Sequence, residues 1–225
     1  MPEQTKTRRR RRAPLTRDRV LRAALALADA GGEEALTMRN LGKQLGVEAM
    51  SLYNHVANKE DILDGLVDIV FSEIEVPTPG EGDWQAGMRR RAISAREALN
   101  RHRWAVGRME GRMNPGPASL RSHDAVMGCL REAGFPFRAA VHAMSVTDAY
   151  VYGFALQEKN LPFDDPDEVA AVMDVQRGNV PSMDDYPYLL EVATEMAKAG
   201  YDYATEFAFG LDLILDALER YRTGA

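Results

Sequence analysis

The 225-residue sequence predicts an all-α protein in two domains, a small N-terminal helix-turn-helix head and a larger helical body. Three observations carry this. Apolar residues recur at three- and four-residue spacing along nearly the whole chain, and no run shows the alternation of a half-buried strand. A glycine joins two short helical patterns between residues 37 and 59. The charge is also divided. Residues 1–60 carry 12 Lys and Arg against 7 Asp and Glu, a net +5, and the remainder carries 16 against 27, a net −11. The overall −6 hides a basic head on an acidic body, the pattern of a chain with one half against nucleic acid.

Residues 1–14 read as a polar tail. Arg8, Arg9, Arg10, Arg11 and Arg12 repel one another and have no apolar partners, so the tail is expected to be disordered when free and available to a DNA groove. Thr16 caps a first helix with Val20, Leu21, Ala24, Leu25 and Ala28 on one face, ended by Gly31-Gly32. Thr37 caps a second, with Met38, Leu41 and Leu45 at helical spacing. Gly46 can take the positive φ that a steep junction requires. A third helix is expected from about Glu48 to His55, seated by Val47, Met50 and Leu52, with Ala49, Ser51 and Asn54 facing outward. Asn58 opens a fourth helix over about 59–75. Its apolar surface, from Ile62 to Ile74, is wider than one stripe, so it is expected to touch both head and body. Pro77, Pro79, Gly80 and Gly82 then break the chain, giving a head of 15–79 and a body of 80–225.

In the body, Asp83 caps a helix to about Asn100, and 104–117 is irregular, with Gly107, Gly111, Pro115 and Gly116. Helices follow over about 117–133, 136–159, 187–199 and 202–222, with a short one near 166–176 in a Pro- and Asp-rich stretch. In the last helix Phe207, Leu211, Ile214, Leu215 and Leu218 form one apolar face, and Phe209 and Leu213 a second on its flank. The 136–159 helix is similar, with Val151 and Phe154 among its apolar residues. Two stripes fit either a central core helix or a dimer built as a four-helix bundle, and the dimer is the expectation here, with Val151, Phe154, Phe207, Leu211, Ile214, Leu215 and Leu218 at its interface.

Other functions are excluded on chemistry. No apolar run approaches the roughly 20 residues that span a bilayer, and the N-terminus lacks a secretory apolar stretch. The single Cys129 fits a reducing cytoplasm and, beside Val126, Met127 and Leu130, reads as a buried thiol. The four histidines fall in separate segments with no metal-ligand spacing. Ser122-His123-Asp124 cannot form a triad, since successive helix positions point about 100° apart. No phosphate-binding glycine fingerprint occurs, so no cofactor, metal or catalytic residue is expected.

The run LTMRNLGKQLGVEAMSLYNHVANKEDILDGLVD resembles the DNA-binding domain of TetR family transcriptional regulators. Four of its segments carry the likeness in order: Leu36-Thr37-Met38-Arg39, Leu45-Gly46-Val47, Leu52-Tyr53-Asn54-His55 and Lys59-Glu60-Asp61-Ile62-Leu63. Tyr150-Val151-Tyr152-Gly153-Phe154 and Phe209-Gly210-Leu211-Asp212-Leu213 look like the dimer helices of the tetracycline-repressor branch. The resemblance implies that Tyr53, His55 and Lys59 lie against phosphates. Arg39, in the first turn after Thr37 and Met38, can hold another. Ala49, Met50 and Ser51 begin the helix that meets base edges, where the first two offer only apolar contact, for example with a thymine methyl.

In the body, Trp104, Met109, Met113, Met127 and Met144 are either core fillers or the lining of an adaptable apolar pocket. Asp148, one helical turn from Met144 and Tyr152, needs a partner if buried: a structural His or Arg, or a polar group of a ligand. The tetracycline-binding members hold drug and magnesium with histidines, and simple alignment puts Glu75 and Met109 there, so that ligand is not expected. The resulting expectation is a cytoplasmic homodimer that binds double-stranded, palindromic operator DNA and is released by a small, mostly apolar inducer. The alternative is a non-inducible or architectural DNA-binding protein.

Overall fold

The computed structural model describes residues 14–80, 82–110, 114–160, 185–199 and 202–224. The arginine run 8–12, Met113 and the helix expected near 166–176 lie outside the described residues. Among those described, every regular element is helical. The chain divides into two compact units, 1–66 and 67–225, so the division falls within the fourth helix and not in the Pro/Gly stretch after it.

The first unit holds α1 (Arg17–Ala35), α2 (Met38–Leu45), α3 (Ala49–Leu52) and the start of α4 (Lys59–Glu73). Thr16 and Thr37 both cap as their types predict, accepting from Arg19 N and Asn40 N. Gly31 and Gly32 leave helical geometry, which turns the last residues of α1 off its axis. Val20, Ala24 and Ala28 meet Leu36, Leu41, Leu45, Leu52 and Val56 in the core, with Ile62, Leu63 and Leu66 from α4. A bidentate link fixes one end. Arg17 donates to both Asp61 carboxylate oxygens, at 2.9 and 2.6 Å, and Asp61 also accepts from Ala57 N.

The second unit holds the end of α4, α5 (Trp84–Arg101), a 3₁₀ turn (Arg103–Arg108), α6 (Pro117–Glu132), α7 (Phe137–Lys159), α8 (Pro187–Ala199) and α9 (Tyr203–Thr223). The expected irregular stretch therefore starts with an ordered 3₁₀ turn that buries Trp104, Ala105 and Val106. Ala92, Ala95 and Ala98 of α5 and Ala139, Ala140 and Ala143 of α7 are buried, and small side chains let helices approach closely. Cys129 is buried, as its apolar neighbours imply. No described helix is long and apolar enough to cross a membrane.

The last helix corrects the sequence reading. Phe207, Leu211, Leu215 and Leu218 are buried within the subunit, as is Val151 of α7, so they are not available to a partner. Ile214 is half-buried. Phe154, also half-buried, meets Tyr150 at a tilt and Tyr203 and Phe207 edge-on, with the Arg96 guanidinium over its ring. The outward stripe is the flanking one. Phe209, Leu213 and Tyr221 of α9 stay exposed, as do Val146 and Leu156 of α7 with the small Ala149 and Gly153 between them. The richer stripe was assigned outward because periodicity separates two faces without saying which one the subunit's own core consumes.

Candidate nucleic-acid interface and buried polar site

The helix-turn-helix is set by two glycines. Gly46 takes φ 67°, the left-handed conformation that ends α2. Gly42 lies inside α2 where α3 crosses it. A Cβ there would stand 2.9 Å from the Val47 carbonyl oxygen and 3.2 Å from Ala49 N, both backbone atoms that cannot swing aside. The sequence reading rested on Gly46 and missed Gly42, whose signal is a glycine inside a short helix without a turn to explain it.

α3 is one turn long, shorter than the expected 48–55. Tyr53 ends it, and His55 N and Val56 N both return to Leu52 O. Leu52 is its buried anchor, Val47 and Ala49 are half-buried, and Met50 is 75% exposed. Met50 is therefore not a seating residue; with only one turn, the helix has a single inward position after Ala49, and Leu52 takes it. Tyr53, 47% exposed, is no core residue either. Thr37, Arg39 and Asn54 are exposed, and Met38, Ser51 and His55 are half-buried. Lys59 Nζ donates to Glu33 O at 2.9 Å and lies 3.9 Å from the Glu33 carboxylate, so it ties α4 to the end of α1.

In the second unit, Asp148 is buried and its partner is Arg91, which is 1% exposed and donates from Nη1 to Asp148 Oδ1 at 2.6 Å. The guanidinium of α5 was not singled out in the sequence, since it stands in a run of three arginines, after Arg89 and Arg90. Glu110, His123 and Asp148, distant in sequence, bring their ligand atoms within 4.8 Å of one another. Burial, then the charge of Asp148, pushes the Tyr152 phenol well above its ordinary pKa, so it stays protonated. The Tyr152 hydroxyl lies beside the Arg91 guanidinium, and Ser122 Oγ is buried without a hydrogen-bond partner among the described residues. Trp104 and Met109 are buried, and Met127 and Met144 are half-buried. A cavity of about 210 Å³ opens elsewhere, among Thr78, Asp83, Trp84, Arg90, Cys129 and Glu132.

The last turns of α4 grip this unit. Asp68 Oδ1 accepts from Ala118 N and Ser119 N at 2.8 and 2.9 Å, capping α6, whose own N-cap residue is a glycine. The Phe71 ring lies 5.6 Å from that of His123, and Glu73 accepts from Arg101.

Two family descriptions match along the chain: "Bacterial regulatory proteins, tetR family" over residues 20–66 and "Tetracyclin repressor-like, C-terminal domain" over 76–222. The chain belongs to the TetR family of transcriptional regulators. It is 32% identical over 214 residues to the HTH-type transcriptional repressor DrrR1 of Streptomyces coeruleorubidus, covering 91% of this chain and 77% of that one. It is also 32% identical over 206 residues to the class A tetracycline repressor from transposon 1721 of Escherichia coli, covering 90% of each. Among solved structures, Streptomyces coelicolor ActR in complex with actinorhodin superposes with a TM-score of 0.76 at 29% identity, over 92% of this chain and 97% of that one. The all-α fold with a helix-turn-helix head is thus the family's, and the family's members are transcriptional regulators.

Proposed function

We propose that this TetR family regulator is a homodimeric repressor that binds a palindromic operator and is released by a small, mostly apolar molecule. The observation that carries the reading is the exposure of Met50 and Tyr53 on a one-turn helix held rigidly from behind by Leu52 and Gly42. A side chain as apolar as Met50 standing three-quarters in water suits contact with a base edge. Thr37, Arg39, Asn54, His55 and Lys59 supply phosphate contacts around it, joined by the backbone N–H of Met38 at the start of α2, Ala49 and Ser51 complete the base-facing edge, and Arg8–Arg12 add to the salt dependence. The exposed stripe of Phe209, Leu213, Val146 and Leu156 supports the second subunit as its cover. A pair of heads on one two-fold axis suits half-sites ~34–36 Å apart.

Ligand control is supported by the likeness to a regulator solved with actinorhodin and by the polar site within the second unit. Met109 is buried and Glu75 is exposed, pairing with Arg90 at 3.0 Å, which disfavours the tetracycline–magnesium complex. α4 is the lever: ligand-driven shifts of α6 reach Asp68 and Phe71 and pass along one continuous helix to Lys59 and Asp61. A ligand acts only through its differential affinity for two conformers. The test is fluorescence anisotropy of the regulator on a selected duplex, titrated with actinorhodin and with other small, mostly apolar compounds. Release of the duplex by a compound that also raises the melting temperature is expected. Occupancy untouched by every such compound would leave a non-inducible DNA-binding protein.

A further inference from the structure

α3 leaves the head short of sequence readout. One turn long, it offers base edges Ala49, Met50 and Ser51, and the first two carry no side-chain hydrogen-bonding group to tell one base pair from another. The densest charge of the head lies elsewhere. Arg8, Arg9, Arg10, Arg11 and Arg12 supply five of the 12 basic residues of 1–60, and none of the five is a lysine. The chain enters α1 through Thr16 in an extended conformation (φ −134°, ψ 158°). That entry point is fixed beside the DNA-facing turn. Arg17, the first residue of α1, donates from Nη1 to the His55 carbonyl oxygen at 3.2 Å as well as to Asp61, so α1 starts against the turn that carries Tyr53 and His55 and against the first turn of α4. An extended chain covers at most ~3.3–3.6 Å per residue, so Arg12, four residues before Thr16, can reach about 14 Å from it and Arg8 about 29 Å. The minor groove lies half a turn, about 17 Å, along the duplex from the centre of the adjacent major groove, within the span of the run.

We infer that Arg8–Arg12 enter the narrow minor groove of A·T-rich DNA flanking each operator half-site, so that the regulator reads DNA shape beyond the bases that α3 touches. Narrow A·T minor grooves concentrate negative potential and attract inserted basic side chains. Arginine suits them better than lysine, because the planar guanidinium is more weakly hydrated than an ammonium and sheds its water at lower cost. Within the chain the competing anion is the acidic body, but its net −11 is spread over residues 61–225, whereas duplex DNA carries a charge every ~1.7 Å. The inference rests on the operator-binding reading and adds to it a second contact on the same duplex.

The test uses the full chain, a variant lacking residues 1–12, and one carrying Arg8→Lys, Arg9→Lys, Arg10→Lys, Arg11→Lys and Arg12→Lys together. Each is titrated onto duplexes that share an operator core selected from random DNA. The core is flanked by A·T tracts, by G·C pairs, or by inosine·cytosine pairs, which lack the guanine amino group in the minor groove. Anisotropy across a salt series gives affinities and slopes. The wild type should bind A·T and inosine·cytosine flanks about tenfold more tightly than G·C flanks. The deletion should remove this preference and reduce the salt slope by up to about 4, while keeping the melting temperature and the preference for the core over an unrelated duplex. The lysine variant should keep the slope and lose most of the flank preference. A flank preference that survives the deletion, one that lysine supports equally, or inosine·cytosine flanks that behave as G·C each overturns the inference. Tighter core binding after the deletion does the same, since the arginines would then sit on the acidic body. A wild type that separates flanks but not cores keeps the flank contact and sinks the operator reading, and one that separates cores but not flanks does the reverse.

Discussion

The two units place an arginine–carboxylate pair in opposite surroundings. In the first, Arg17 and Asp61 join α1 to α4 with side chains 46% and 28% exposed. In the second, Arg91 and Asp148 join α5 to α7 with side chains 1% and 8% exposed. Both have a contact of 2.6 Å and the first is also bidentate, so geometry alone would not favour the second. Burial separates them. Water screens the first pair, and such links contribute about 0–1 kcal/mol. The second has no water to fall back on, so removing either partner strands a charge. The same contrast runs through the apolar residues: α3 and the flank of α9 display side chains outward, and neighbouring positions on the same helices are closed.

The sharpest break of that comparison is on α9. Leu211→Glu buries an unpaired charge at a fully closed position, costs several kcal/mol and should unfold the second unit. Leu213→Glu, two residues on and 56% exposed, should keep the native circular dichroism and melting behaviour of the subunit yet give a monomer by sedimentation. If Leu211→Glu instead yields a folded monomer, the inner and outer stripes have been exchanged.

Next comes the buried pair. Asp148→Ala should destabilise by about 3–5 kcal/mol because Arg91 is left alone, and adding Arg91→Met should recover much of that loss. Chemical denaturation of the single and double variants reads this directly. A single variant as stable as the wild type would mean that the guanidinium finds water, and the pair would then belong with Arg17–Asp61.

Gly42→Ala should have a smaller effect on stability, about 1–3 kcal/mol, because the new methyl meets backbone at 2.9 Å. Operator affinity should fall with it, since the displaced element is α3. Thermal melting and anisotropy on one sample separate the two effects.

Smallest is the exposed clamp. The hydrogen bonds from Arg17, with help from Ala57 N–H, hold the Asp61 pKa below its ordinary value. An unfolded Asp titrates near ~3.9, so the clamp's contribution is complete above that and is lost as pH falls through the lower folded value. Arg17→Ala should therefore cost about 0–1 kcal/mol at neutral pH. The difference from wild type should vanish in acid, as followed by melting curves between neutral pH and pH 2. A deficit that persists at the acid end would assign the loss to packing of the Arg17 stem.

The sequence was legible wherever a signal is local. Caps at Thr16, Thr37 and Asp83, or helical spacing as in α5, define elements from a few neighbouring residues. The failures are all questions of which neighbour a face meets. Periodicity marked two stripes on α9 and could not tell core from surface. Met50 is apolar and was seated on that ground, although a one-turn helix has room for one inward anchor after Ala49. Asp148 was recognised as needing a partner, but Arg91 lies 57 residues away with nothing in its own segment to mark it. The Glu110–His123–Asp148 cluster was invisible for the same reason, since no spacing rule connects the bend after a 3₁₀ turn to two helices.

The central claim is that an exposed one-turn helix, presented twice by a dimer, reads DNA. Selection from a pool of random duplexes with the wild type, read by sequencing, tests it most directly. The account predicts enrichment of a palindrome whose half-sites lie about one helical turn apart, with the preference at the contacted bases altered by Met50→Ala and binding to all sequences weakened by Tyr53→Ala. Enrichment of no sequence, or of one unpaired half-site, would contradict it.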